Sequence, residues 1–121
     1  MEEISPLAFR TYLILMKHQG RENAIDMGDL YRLVFNKNFQ NKISDTRKLR
    51  TVITELRQCG FPVCSSMAKE NRGYYLAVTA KDIEDFVKTM ERRALKTLML
   101  ISRVKKISLP VYLGQLSLRG E

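Results

Sequence analysis

Residues Ser44 to Gly60 read S-D-T-R-K-L-R-T-V-I-T-E-L-R-Q-C-G. Wound as an α-helix, this stretch places Leu49, Val52, Ile53 and Leu56 on one stripe, at the i, i+3, i+4, i+7 spacing of a half-buried helix. The opposite face follows. At about 100° per residue, Arg47, Thr51, Thr54 and Gln58 point away from the stripe, flanked by Lys48 and Arg50. Guanidinium, hydroxyl and amide groups are those that hydrogen-bond base edges and phosphates. Ser44 stands where it can cap the helix start, and Asp45 suits the positive end of the helix dipole. Gly60 can take the left-handed conformation that ends the helix. The expectation is a DNA recognition helix over 44–59. A basic outer face on a helix is more often simply solvated, so the neighbouring segments decide between the two.

After Gly60 the periodicity changes. Phe61-Pro62-Val63-Cys64-Ser65 and Tyr74-Tyr75-Leu76-Ala77-Val78 are short, apolar and rich in β-formers, as strands are. Between them runs a polar loop from Ser66 to Gly73 that carries Lys69 and Arg72, with Gly73 available for positive φ. Upstream, Ser5-Pro6 reads as a helix N-cap and first residue, followed by an almost wholly apolar helix from Leu7 to Gln19 that Gly20 stops. A helix this apolar is expected to be buried in a core or covered by a partner. A polar linker (21–24) leads to Ile25, which suits a short extended segment, and a second helix opens at Asp26 in a capping box with Asp29. Met27, Leu30, Leu33 and Val34 form its inner stripe, and it ends near Phe35. Asn36 to Lys42 is a polar, Asn-rich connector.

Helices, a basic helix, then strand, basic loop, strand: this order predicts an α+β, mainly helical fold, a winged helix-turn-helix of three helices plus a β-hairpin wing. In that arrangement the third helix enters the major groove and the hairpin loop touches the flanking backbone. Thr79 and Asp82 make another capping box, and from Ala80 to about Ile107 there is neither Gly nor Pro. A long C-terminal helix is expected there, with a stripe of Ile83, Phe86, Val87, Met90, Ala94, Leu98, Ile101 and Val104. Such a stripe outruns a small domain, and the economical cover is the same helix of a second copy, a homodimer. Packing of the Leu7–Met16 segment along it is the competing expectation. Pro110 is expected to end any helix, leaving Val111 to Leu118 as a disordered or extended tail. The organisation read from the sequence is therefore a winged domain (1–79), a dimerisation helix (80–107) and a tail (108–121).

The runs L-R-T-V-I-T-E-L-R-Q-C-G-F-P-V-C-S-S and R-G-Y-Y-L-A-V-T, followed by a helix containing E-R-R-A-L, resemble small winged helix-turn-helix proteins of bacteriophages and prophages. The resemblance covers residues 5 to 107, most specifically 49 to 79. It implies DNA reading by the helix around Arg47 to Gln58, with the loop before Gly73 as the wing. Those proteins join their second and third helices by a tighter turn than 36–42 here.

Bulk properties agree. The chain has 121 residues, enough for one domain, with 45% hydrophobic and 28% charged content. Net charge is +8, which suits a polyanionic partner, nucleic acid first. No apolar run is long enough for a transmembrane helix, and the opening M-E-E-I-S-P has the wrong sign for a secretory signal, so a cytoplasmic, nucleoid-associated protein is expected. Cys59, Cys64 and the single His18 do not make a zinc site, and reduced, partly buried thiols are the expectation. No Ser/His/Asp order, metal-ligand spacing or Gly-rich phosphate loop occurs, so no enzyme, no cofactor and no small-molecule ligand is expected. The function expected is a double-stranded-DNA-binding, phage-type transcriptional regulator. Arg47, Arg50, Thr51, Thr54 and Gln58 are expected to face bases and near phosphates, with Lys48, Lys69 and Arg72 on the backbone. The alternatives are a winged-helix protein-interaction module and a phage replication or recombination accessory protein.

Overall fold

Ser5 and Pro6 begin the first helix as their chemistry suggests. In the computed structural model, which describes residues 3–119, α1 spans Pro6–Leu15 and the Ser5 hydroxyl accepts the Ala8 amide at 3.1 Å. Ala8, Thr11 and Leu15 are buried, but Phe9, Leu13 and Met16 are exposed, so the chain's own core covers one face of the helix. The helix also stops at Leu15 rather than Gln19. The amides of Lys17 and His18 bond back to Ile14 and Leu15 in a tightened last turn, freeing the chain to reach the sheet.

A single 3₁₀ turn, Arg21–Asn23, precedes Ile25 and then α2, Met27–Phe35. Asp26 caps α2 by accepting the amides of Gly28 and Asp29. Asp29 does not complete the capping box. It pairs with Arg32 instead, at 3.4 Å on the surface. Leu30, Tyr31 and Val34 face inward while Leu33 is exposed, so Tyr31 takes the core position expected of Leu33. Asn36 ends α2 in the left-handed conformation, φ 59°.

The third helix, α3, spans Lys42–Gln58 and starts earlier than expected. Its cap is Asn41, whose side-chain oxygen accepts the amides of Ile43 and Ser44, and Ser44 lies inside the first turn. Leu49, Val52, Ile53 and Leu56 are all buried, as their spacing predicts. Gly60 leaves the helix at φ 91°. Strands β1 (Val63–Ser66) and β2 (Gly73–Leu76) then pair antiparallel, with Val63 opposite Leu76 and Ser66 opposite Gly73. Each lies within two residues of its expected place. The far edge of β2 is covered too: Ile25 exchanges both backbone hydrogen bonds with Tyr74, at 2.8 and 2.9 Å. The Leu76 amide reaches the His18 carbonyl and the Gly20 amide reaches the Leu76 carbonyl. The observed fold is mainly helical with a small two-stranded antiparallel sheet. Its core joins Ala8 and Leu15 of α1 and Leu30 and Tyr31 of α2 to the α3 stripe and the hairpin's Val63, Tyr74 and Leu76.

Helix α4 spans Ala80–Val104, and here the capping box is complete. The Thr79 hydroxyl accepts the Asp82 amide and the Asp82 carboxylate accepts the amides of Val78 and Thr79. The chain divides within this helix into two compact units, Met1–Glu84 and Asp85–Glu121. The helix stops at Val104, before the expected Ile107, because Lys106 turns left-handed (φ 59°) and the Ile107 amide returns to the Ser102 carbonyl. The tail expected from 108 onward is instead a helix, α5, Leu109–Arg119. Ser108 starts it, its hydroxyl accepting the Val111 amide, and Pro110 falls in the first turn, where its missing N–H costs nothing. Among the described residues, no helix is long and apolar enough to cross a membrane.

Gly73 sits at φ 137° with the Ile25 carbonyl so close that a methyl group there would overlap it. Gly73→Ala is therefore expected to open the Ile25–Tyr74 pairing and to cost at least about 2 kcal/mol. Thermal denaturation followed by circular dichroism measures the loss. Replacement of the equally glycine-like but unobstructed Gly60 by Ala serves as comparison.

Candidate nucleic-acid interface

Helix α3 builds the candidate surface by what it hides. With the stripe from Leu49 to Leu56 pressed inward, Arg47, Lys48, Arg50, Thr51, Thr54 and Gln58 are all exposed, as the sequence places them. The helix carries two carboxylates, and both are turned to other work. Asp45 is 5% exposed and accepts the amides of Gln40 and Asn41, at 2.8 and 3.1 Å. Half-buried Glu55 receives the Ser5 amide and hydroxyl at 2.7 and 2.9 Å, clamping the start of α1 to α3. The outer face is left with cations, hydroxyls and an amide, and no exposed carboxylate.

Individual groups differ in what they have left to offer. Lys48 lies 3.9 Å from the Asp45 carboxylate, on the flank of the face rather than its centre. The Thr51 hydroxyl donates to the Arg47 carbonyl, which leaves its lone pairs as acceptors. Arg57, on the same helix, is not part of the outer face. Its Nε donates to the Val63 carbonyl at 2.8 Å and, with the Phe61 amide bonded to the Leu56 carbonyl, joins the end of α3 to the hairpin.

The hairpin loop, residues 67–72, exposes Lys69 and Arg72 with Glu70 between them. The loop is organised by one buried hydroxyl. Ser66 Oγ accepts the Ala68 amide and the Arg21 guanidinium, each at 3.3 Å, and donates to Asn71 Oδ1 at 3.4 Å. Arg21, read as a linker residue, is thus a support for the loop.

Two features escape the sequence reading. Ile43 is 76% exposed and stands one turn before Arg47 on the same face, joined by Ser44. A helix begun at Ser44 leaves it out; Asn41, a strong cap residue just upstream, is the signal that includes it. The second is the connector between α2 and α3, which is not slack. Phe39 packs on Tyr31 with ring centroids 4.7 Å apart, and Asp45 holds the two backbone amides that lead into the helix.

Asp45 is the electrostatic centre of this connector. The Gln40 amide, with Asn41 and Lys48 adding to it against the opposing effect of burial, holds its carboxyl below the usual range. Tyr31 lies beside it, its buried hydroxyl lacking a well-formed hydrogen bond; burial first, then the neighbouring Asp45 carboxylate as acceptor and as charge, push the phenol up. Elsewhere, Cys59 and Cys64 are free thiols, and burial raises the pKa of Cys64. His18 bonds the Asn23 carbonyl through Nδ1 at 2.9 Å. Among the described residues, no three His, Cys, Asp or Glu side chains come together as a metal site.

No protein-family model, curated protein or solved structure matches the chain.

The Asp45 geometry sets an acid limit on the start of α3. Its folded pKa is depressed, so its stabilisation is present above the unfolded value of about 3.9 and is lost as pH falls through the folded value. Asp45→Ala should lower the thermal midpoint at neutral pH and flatten the fall in stability below about pH 4. Unfolding midpoints measured across that range check it, and an unchanged acid limb would remove Asp45 from this role.

Proposed function

We propose that this chain is a double-stranded-DNA-binding protein of the winged helix-turn-helix type, a phage-type transcriptional regulator working in the cytoplasm at the nucleoid. Helix α3 lies in the major groove and the 67–72 loop rests on the flanking backbone. The observation that carries this reading is the segregation of charge on α3: both of its acids are bound to the chain's own amides and hydroxyls, and every exposed ion on its outer face is a cation. A merely solvated helix has no need to clear its outer face of carboxylates. A face meeting phosphates does, because each buried like charge would repel the duplex.

Each group then has a task set by its chemistry. Arg47, near the helix start, presents a forked donor suited to guanine O6 and N7, and Gln58 an amide suited to adenine N6 and N7. Thr51 and Thr54 offer hydroxyls to base edges, and Ile43 an apolar contact for a thymine methyl. Arg50 and Lys48 reach toward phosphates on the groove walls, and Lys69 and Arg72 hold the backbone beside it. The positive end of the α3 dipole favours the same polyanion.

One observation favours a second reading, a protein-interaction module. An open groove of about 860 Å³ between α1 and α2 exposes Phe9, Leu13 and Leu33, apolar groups that DNA does not require. A role as a replication or recombination accessory protein shares the DNA surface and differs in target.

The readings separate in one experiment: selection of bound sites from random duplexes, followed by titration of variants. Arg47→Ala with Gln58→Ala should weaken a selected site by roughly 10- to 100-fold more than random DNA. Ile43→Ala should relax preference at thymine positions only. Lys69→Ala and Arg72→Ala should weaken all sequences alike and each lower the salt slope by about 1. Equal loss on selected and random DNA from the first pair, or no enrichment of any site, would overturn base reading by α3.

A further inference from the structure

We propose that α4 pairs antiparallel with the α4 of a second copy, across a two-fold axis that passes beside Ala94. This partner is independent of the DNA reading. Three observations meet on it.

The first is an uncovered stripe. Val87 and Met90 are 43% and 39% exposed, Ala94 is exposed, and Leu98 and Ile101 are only half-buried. Among the described residues of Asp85–Glu121, only Ser102 and Tyr112 are buried. Helix α5 is tied on by the Lys105 ammonium, 5.3 Å over the Tyr112 ring and bonded to Gln115, yet it leaves Val111, Leu113 and Leu116 exposed as well. So short a unit buries little apolar surface of its own, and oligomerisation is the usual way such surface is covered.

The second is the spacing of the stripe, which reads the same in both directions from Ala94. Met90 and Leu98 stand four residues to either side, Val87 and Ile101 seven. In an antiparallel pair Met90 faces Leu98 of the second copy, Val87 faces its Ile101, and Ala94 faces Ala94. The smallest side chain lies at the axis, where two helices approach most closely, about 8–10 Å apart. A two-fold interface needs self-complementarity of this kind.

The third is charge, and it fixes the direction. The first turns of α4 carry Asp82, Glu84, Asp85 and Glu91 against Lys81 and Lys88. From Arg92 onward there is no acid through Lys106, but Arg92, Arg93, Lys96, Arg103, Lys105 and Lys106. A parallel pair sets this basic half against its own copy. An antiparallel pair sets each basic half beside an acidic half and opposes the two helix dipoles.

The test uses the full-length chain without DNA. Sedimentation equilibrium should give a dimer at micromolar concentration, and Ala94→Arg should weaken association at least about tenfold while leaving the helical circular dichroism unchanged. Direction is read by disulfide trapping on non-reducing gels, with the parent chain as control for Cys59 and Cys64. A mixture of Val87→Cys and Ile101→Cys chains should yield a covalent dimer that neither variant yields alone. Trapping by Val87→Cys alone would mean a parallel pair and overturn the proposal. So would a monomeric parent, including one that instead adsorbs through α4 to phosphatidylglycerol vesicles. A dimer that enriches no DNA site would leave the pairing standing and sink the DNA reading alone.

Discussion

Burial of Leu49, Val52, Ile53 and Leu56 is the constraint the first unit depends on. These four side chains are 5% exposed or less, and each contributes at most about 1.5–3 kcal/mol by leaving water. Because an α-helix is rigid about its own axis, burying that edge leaves no choice of what faces out. Arg47, Thr54 and Gln58 are presented to solvent as a consequence of packing, without any interaction of their own to aim them. The neighbouring elements complete the arrangement. Ala8 and Leu15 from α1, Leu30 and Tyr31 from α2, and Val63, Tyr74 and Leu76 from the hairpin close over the same stripe.

Polar contacts then fix position where apolar packing only supplies cohesion. Glu55 bonds Ser5 and thereby sets where α1 begins relative to α3. Asp45 does the same for the connector, and Arg57 for the hairpin. A carboxylate that accepts two protein donors resists displacement more than a pair of methyl groups does, because its alternatives in a half-buried site are costly. The same bonds clear the acids from the outer face, so that one set of contacts serves both stability and the electrostatics of the candidate surface.

The second unit obeys the same rules with the opposite result. Most of the amphipathic α4 and all of α5 lie in it, yet their apolar side chains remain largely in water. The larger part of the chain's basic excess also lies after Glu84. Exposed apolar surface and concentrated charge are the two features the proposed pairing answers. The proposed antiparallel pair satisfies both demands together: it covers the stripe and neutralises part of the basic field.

The sequence by itself determined what depends on local periodicity and on single-residue stereochemistry. The inward stripe of α3, its exposed cationic face, the caps Ser5, Asp26 and Thr79, the exit at Gly60 and the order helix, helix, helix, strand, strand were all legible, because each is a property of residues within one or two turns. Only the tertiary structure decided the rest. Tyr31 rather than Leu33 enters the core because its ring fits between Phe35 and Phe39, a choice made by shape across elements. Helix α3 begins at Lys42 because Asp45 folds the connector back onto it, and that shift adds Ile43 to the outer face. The last residues form α5 because Pro110, a breaker inside a helix, is harmless in a first turn, and where a turn begins depends on the Lys106 reversal before it. Long-range partners choose among conformations that short-range propensities leave nearly equal in energy.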